Sequence, residues 1–424
     1  MPTISSKAIY WSKTLSKFVS VQIVIQVLGF ASGILLVRTL VQQQYAYYII
    51  ANTMQATITL LADSGIDSAL SAIGGKVWQD RYRFSQLINT ALQLRGYLAV
   101  VATTIITPLL LWMLISNGAS PIYAILIAIA VLIGVSFQLT SGILIVVLRL
   151  QSHINRLQNL DLVGSFSRLC FLGIAYLIFL NASTAVFAVS ISLGLQLFLL
   201  NYWIPKTIDT KAPINKEDRQ EILKSIKRLL PNTIYYCLQG QLSILLIGTF
   251  GNTQSIAEVG ALGRLAAIFT IIGSILSNIV LPSFARCQSV SLLQRRYFQV
   301  IGAYCLFASI LLGITVAFPN QILWILGKNY RHLHEEVILM VTSSILYALL
   351  GTMWAINASK AWVSLAWIFI PTEITIQALL LLALDISTVK GVILFGIFPT
   401  LPGFVMNGYM TYRGLQSMKI LPEN

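Results

Sequence analysis

Apolar residues run along this chain in long, unbroken stretches separated by short polar loops. Twelve such stretches can be marked, at about 16–40, 45–73, 87–115, 122–148, 160–180, 184–204, 231–250, 257–284, 297–318, 335–357, 361–384 and 389–412. Each is near the length of about 20 residues that an α-helix needs to cross a bilayer. Membrane strands would alternate apolar and polar residues over about ten positions, and these runs do not alternate. The pattern predicts an all-α, polytopic membrane protein with 12 transmembrane helices. The longest polar stretch, residues 205–230, separates six spans from six. The expected organisation is an N-terminal six-helix lobe at 1–204, an inter-lobe linker at 205–230 and a C-terminal six-helix lobe at 231–424. Within the linker, Ile222, Leu223, Ile226 and Leu229 share one side of a helix, which predicts a short amphipathic helix at the inner membrane surface.

Composition agrees with this pattern. Of 424 residues, 57% are hydrophobic and only 10% charged, against about 25% charged in a soluble domain. Mean hydropathy is +0.80. A soluble fold could not cover so much apolar surface, and disordered chains are poor in apolar residues. The net charge of +14 would suggest nucleic acid in a soluble protein. In a membrane protein it reflects the gathering of Lys and Arg on the cytoplasmic side. With the N-terminus inside, 21 of the 28 Lys and Arg fall in inner loops, 3 in outer loops and 4 within spans. Both termini are therefore expected in the cytoplasm. The N-terminus does not resemble a cleaved signal peptide, because a long polar stretch with Lys7, Lys13 and Lys17 precedes the first span.

The chemistry of catalysis is sparse. The sequence contains no G-x-x-x-x-G-K-[ST] loop and no nucleophile elbow, so neither ATP hydrolysis nor acyl transfer is expected, and no cofactor is implied. The four cysteines form no C-x-x-C pair. His332 and His334 are two apart, which does not bring them to one helical face. No metal site is predicted. The reading is of a protein that is not an enzyme.

Charges inside spans need a reason, since each costs about 3 kcal/mol on insertion scales. Arg95, Arg168, Arg264 and Arg38 are candidates to line a cationic, substrate-binding cavity. A guanidinium grips phosphate bidentately and stays charged. The alternatives are snorkelling to an interface or pairing with internal acids; Asp161 lies seven residues before Arg168, on the same helical face. Glu373 follows Pro371 in the eleventh span and is a candidate for ion or proton coupling. The alternative is a neutral Glu bonded to carbonyls that Pro371 frees. Asp63 and Asp67 share a face near the inner end of the second span. They would serve a gate or hinge by pairing with inner-loop bases near Lys76, or simply mark a solvated helix end. Pro371, Pro399 and Pro402 are hinge candidates, and the twelfth span is the most prone to break. Trp354, Trp362 and Trp367 are suited to stacking on sugar or to anchoring at the interface.

The halves show a weak internal repeat. Gly29–Lys76 and Gly240–Arg286 both read helix, short outer turn, helix, basic inner loop. Two halves of six spans share one orientation, which predicts an axis along the membrane normal and a site between them.

Several motifs carry a resemblance. Arg38, Tyr45 and Asp63–Ser64–Gly65 stand in "GILLVRTLVQQQYAYYIIANTMQATITLLADSGIDSAL". Pro231 opens "LLPNTIYYCLQGQLSILLIGTFGNTQSIAEVGALGRLAAI", which also holds the Val259–Gly260 turn. "LPSFAR" and "AFPNQILWILGKNYRHLHEEVILM" follow. On these segments the chain resembles the Wzx-type flippases, the polysaccharide-transporter branch of the MOP/MATE-like superfamily. One departure is the first outer turn, Val-Gln-Gln-Gln-Tyr-Ala, where the family usually carries Gly and Pro. The resemblance implies two lobes working by alternating access in the bacterial plasma membrane. It implies flipping of an undecaprenyl-pyrophosphate-linked oligosaccharide for O-antigen or exopolysaccharide synthesis. The implied partners are that lipid-linked oligosaccharide, membrane lipids, a polysaccharide polymerase and a chain-length regulator, with no nucleic acid. The alternatives are a drug/cation antiporter of the same superfamily, a membrane-embedded polysaccharide polymerase or ligase, and a non-transporting scaffold.

Overall fold

The computed structural model describes the chain apart from residues 1–3, 152, 205–208, 210–211, 270–272, 274–275, 277–280, 282–283, 285–288, 361 and 421–424. The later part of the predicted eighth span, with Pro282 and "LPSFAR", and also Cys287, fall largely outside the described residues. The described chain is helical throughout, with no strand. Among the described residues, eight helical stretches are each long and apolar enough to cross a membrane. The chain divides into two compact units, Met1–Thr249 and Phe250–Asn424.

The first unit holds α1 (Ile4–Thr39), α2 (Gln42–Asp63), α3 (Ile66–Val77), α4 (Arg81–Ser116), α5 (Pro121–Leu150), α6 (Ile154–Ile178), α7 (Ala182–Trp203) and most of α8 (Lys216–Phe250). α5 packs along α7, α6 on α7 and α1, and α2 against α4 and α5. Local signals set the starts. Asp80 accepts from the Tyr82 and Arg83 N–H groups at α4, Ser120 precedes Pro121 at α5, and Asn181 and Thr184 form a reciprocal cap at α7. At this unit's α1–α2 end, the unusual glutamines fasten the rim. Gln44 Oε1 accepts from the Tyr123 hydroxyl at 2.6 Å and from the Ala182 N–H at 2.9 Å, while Gln43 Nε2 donates to Tyr47 at 2.8 Å. Side-chain amides here take the place of a Gly/Pro turn.

The opposite end corrects one expectation. The linker's amphipathic segment is not a separate helix lying on a membrane surface. It is the first third of α8, which continues through Pro231. Asp218, Ile222 and Ile226 are buried against the first unit, four residues apart on one stripe. Arg83 holds Asp218 with both guanidinium nitrogens, one of them at 2.7 Å. Asn89 donates to the carbonyls of Asp209 and Ala212, and Asn215 caps α8. Leu223, grouped by the sequence with the apolar side, is 43% exposed. A bidentate ion pair and a protein core hold the segment, so lipid is not needed to bury its isoleucines.

The second unit holds α9 (Thr253–Gly263), α10 (Val290–Ala317), α11 (Pro319–Leu326), α12 (His334–Ser359), α13 (Ala366–Ala383), α14 (Val389–Ile397) and α15 (Leu401–Ile420). The twelfth apolar stretch changes from α14 through a 3-10 turn at Phe398–Thr400 into α15, with Pro399 in that turn and Pro402 just after it. α10, α12 and α15 meet one another. Their contact includes a sealed polar cluster, in which Asn357 Nδ2 donates to the Asn407 carbonyl at 3.0 Å and the Thr411 hydroxyl donates to Asn357 Oδ1 at 2.8 Å. Interhelical amide bonds of this kind hold helices together where lipid offers no hydrophobic drive.

Candidate functional site

Arg95 and Arg168, one buried and one half-buried in the first unit, stand in very different settings. The first setting is a break between α2 and α3. Ser64 has φ 34° and Gly65 has φ 91°, both left-handed. A left-handed pair ends a right-handed helix, and a new helix starts at Ile66. Glycine is required at 65 for a second reason: a Cβ there would lie 2.7 Å from a Leu229 methyl. Asp63 closes α2 and Asp67 opens α3, so the two carboxylates bracket the break. Arg95 reaches both from α4. Its Nη2 lies 3.2 Å from Asp63 Oδ1 and its Nη1 3.5 Å from Asp67 Oδ1, and its side chain is 6% exposed. The guanidinium lies against Gly142 of α5, where a Cβ would come within 2.7 Å of Nη1.

This arrangement changes one expectation and decides another. Asp63 and Asp67 pair with a mid-span arginine rather than with bases near Lys76, which is exposed. Arg95, for which the sequence left both a cationic cavity and pairing with internal acids open, takes two internal carboxylates as partners. Sequence spacing put Asp63 and Asp67 on one helical face; it could not show that α4 lies alongside them.

The second setting is α6. Arg168 is half-buried, and its Nη2 donates to the Tyr48 hydroxyl of α2 at 3.0 Å. Tyr48 is itself buried and contacts the Tyr45 ring. Asp161 is exposed, and no described residue forms an ion pair with Arg168. Its hydrogen-bond partner is a neutral phenol.

The remaining candidates lie apart. Arg38 is exposed near the end of α1. Arg264 is half-buried in a 3-10 turn that follows α9. Glu373 is half-buried on α13, two residues after Pro371. The Thr375 hydroxyl donates to the Pro371 carbonyl at 2.8 Å. Trp354 packs edge-on against Phe369, Trp362 packs against Gly414, and Trp367 is exposed.

Sequence reasoning missed Glu258. It is buried on α9, accepts from Gln254 Nε2 at 2.7 Å and lies 2.9 Å from His332 Nε2. The signal was available, since a lone acid in an apolar run is the feature that singled out Glu373.

No protein-family model matches the chain, and no curated protein matches it. Solved structures do. An inward-facing multidrug resistance MATE family transporter of the MOP superfamily superposes with TM-score 0.66 at 16% identity, over 94% of this chain and 96% of the other. An outward-facing MATE family transporter gives 0.57 at 17% identity, over 96% of each chain. A MOP superfamily transporter from Pyrococcus furiosus, whose binding pocket is described as having reverse polarity that suggests a different function, gives 0.58 at 17% identity over 95% and 94%. The fold of this chain is that of the MATE and MOP transporters.

Proposed function

We propose that the chain is a membrane transporter that flips an anionic, lipid-linked oligosaccharide across the bacterial plasma membrane by alternating access, with both termini in the cytoplasm. The cargo is an oligosaccharide on undecaprenyl pyrophosphate. The transporter fold and the Lys/Arg asymmetry support the general reading. One observation carries the choice of cargo: Arg168 keeps a cation within a spanning helix with a neutral phenol as its partner. A cation so placed is costly unless an anion or water completes it, and a pyrophosphate fits a guanidinium's fork. Arg264, half-buried in the second unit, is the second phosphate candidate, and Arg38 the third. Arg95 is assigned to the α2–α3 break. Glu373 is the candidate for coupling to an ion gradient. Buried Glu258 favours a competing cargo, an organic cation.

The test is flipping of a fluorescent, pyrophosphate-linked oligosaccharide in proteoliposomes. The expected result is that Arg168→Ala slows flipping by about ten-fold or more, the worth of one charge-assisted hydrogen bond, while Arg168→Lys retains part of the rate. Transport of organic cations without movement of the lipid-linked glycan would sink this reading, and so would an Arg168→Ala rate equal to the parent's.

A further inference from the structure

α2 is 22 residues long, mostly buried, and not among the helices apolar enough to be recognised as spans. Its polarity is concentrated. Tyr48, Asn52, Gln55 and Thr59 follow one another at spacings of four, three and four, which places them on one face. Gln138 of α5 lies alongside, with its Oε1 accepting from Gln55 Nε2 at 3.1 Å and the Thr59 hydroxyl 3.4 Å away. Arg168 meets this face at Tyr48. At Asp63, about 22 Å further along the helix axis, Arg95 closes it with its charge matched. The stripe is thus cationic at one end and neutral between.

Its hydrogen-bonding capacity is only partly used. The Thr59 hydroxyl donates to the Gln55 main-chain carbonyl at 2.9 Å, but among the described residues the Gln138 side-chain NH₂ and Gln55 Oε1 make no hydrogen bond, yet neither is among the sealed-off polar atoms. Asn52 is exposed. Turning this face to hydrocarbon would forfeit several amide hydrogen bonds at a cost of a few kcal/mol each, so it fits a wet chamber. Primary amides present donors and acceptors together, as sugar hydroxyl and acetamido groups do.

We propose that this face of α2, with Gln138, is a track that reads the sugars of the cargo, while Arg168 at one end holds its phosphate. The inference rests on the anionic, lipid-linked cargo proposed above. It adds which residues take the neutral part and which end takes the charged part.

The test uses Asn52→Cys and Thr59→Cys variants of the full chain in proteoliposomes, treated with a charged, water-soluble thiol reagent and compared with the parent. Asn52 is exposed and Thr59 half-buried, so both changes are mild for the fold. The expected result is labelling above the parent background. Farnesyl pyrophosphate bearing a disaccharide of N-acetylglucosamine should protect about ten-fold better than farnesyl pyrophosphate alone. No labelling above background would show that the face is dry and overturn the track. Equal protection by the two lipids would overturn the track and leave the anionic-lipid reading standing. Labelling that neither lipid reduces would overturn both.

Discussion

Arg95 and Arg168 are the same residue type in the same compact unit, yet the molecule uses them differently. Arg95 stands between two carboxylates that bracket a left-handed break, and it is packed against a glycine surface. Arg168 stands against a phenol. The first arrangement balances the guanidinium charge without a ligand, because its two terminal nitrogens meet carboxylates inside the protein. The second is balanced by hydrogen bonding alone. A mid-span arginine is therefore evidence of a binding site only after its partners are known; burial by itself does not separate a strap from a receptor.

Stability should separate the two most sharply. Arg95→Ala leaves two neighbouring carboxylates without their counter-charge, and breaking such a pair costs about 3–5 kcal/mol. The partial exposure of both aspartates places the loss toward the lower side of that range. Arg168→Ala removes one neutral-acceptor hydrogen bond and should cost about 1 kcal/mol. Denaturant unfolding in one detergent compares them, and equal losses would break the contrast. Adding Asp63→Asn and Asp67→Asn to Arg95→Ala should recover part of the loss, since the orphaned charges then disappear.

A smaller effect is expected from crowding the strap without touching its charges. Gly142→Ala places a methyl 2.7 Å from the Arg95 guanidinium, and overpacking of this kind costs about 1–3 kcal/mol. The same denaturant unfolding should show Arg168→Ala and Gly142→Ala adding independently, because they act at separate sites. Marked coupling between them would mean that the two settings are one.

The smallest change is Tyr48→Phe. It removes the acceptor for Arg168 and keeps the ring that packs on Tyr45. The expected stability loss is about 1 kcal/mol or less, with binding of a prenyl pyrophosphate altered by only about a few-fold. A loss as large as that of Arg95→Ala would make Tyr48–Arg168 a structural pair and remove Arg168 from the cargo.

Much of this architecture is legible from one dimension. The apolar runs and the breaks at Pro399 and Pro402 depend on residues within a few positions of one another. The Ser64–Gly65 break is an exception, since the apolar run at 45–73 reads as one uninterrupted span and the left-handed pair divides it. The linker was misread for a non-local reason. Its helical stripe was visible, but its partner, the end of α4 with Arg83, is 135 residues away in sequence. Apolar spacing cannot say whether lipid or protein covers a face. The same limit hid the Arg95 pairing and the glutamine contacts at the α1–α2 rim.

The sequence by itself determined the solvent: with one residue in ten charged, the chain must place most of its surface in lipid, and its helices must carry their own backbone hydrogen bonds. It also determined which positions bear charge at depth. Only the tertiary structure decided what each of those charges faces. The reason is physical. Hydropathy and helical periodicity are sums over neighbours along the chain, whereas a Coulomb contact depends on a few ångströms between helices that the chain order does not specify.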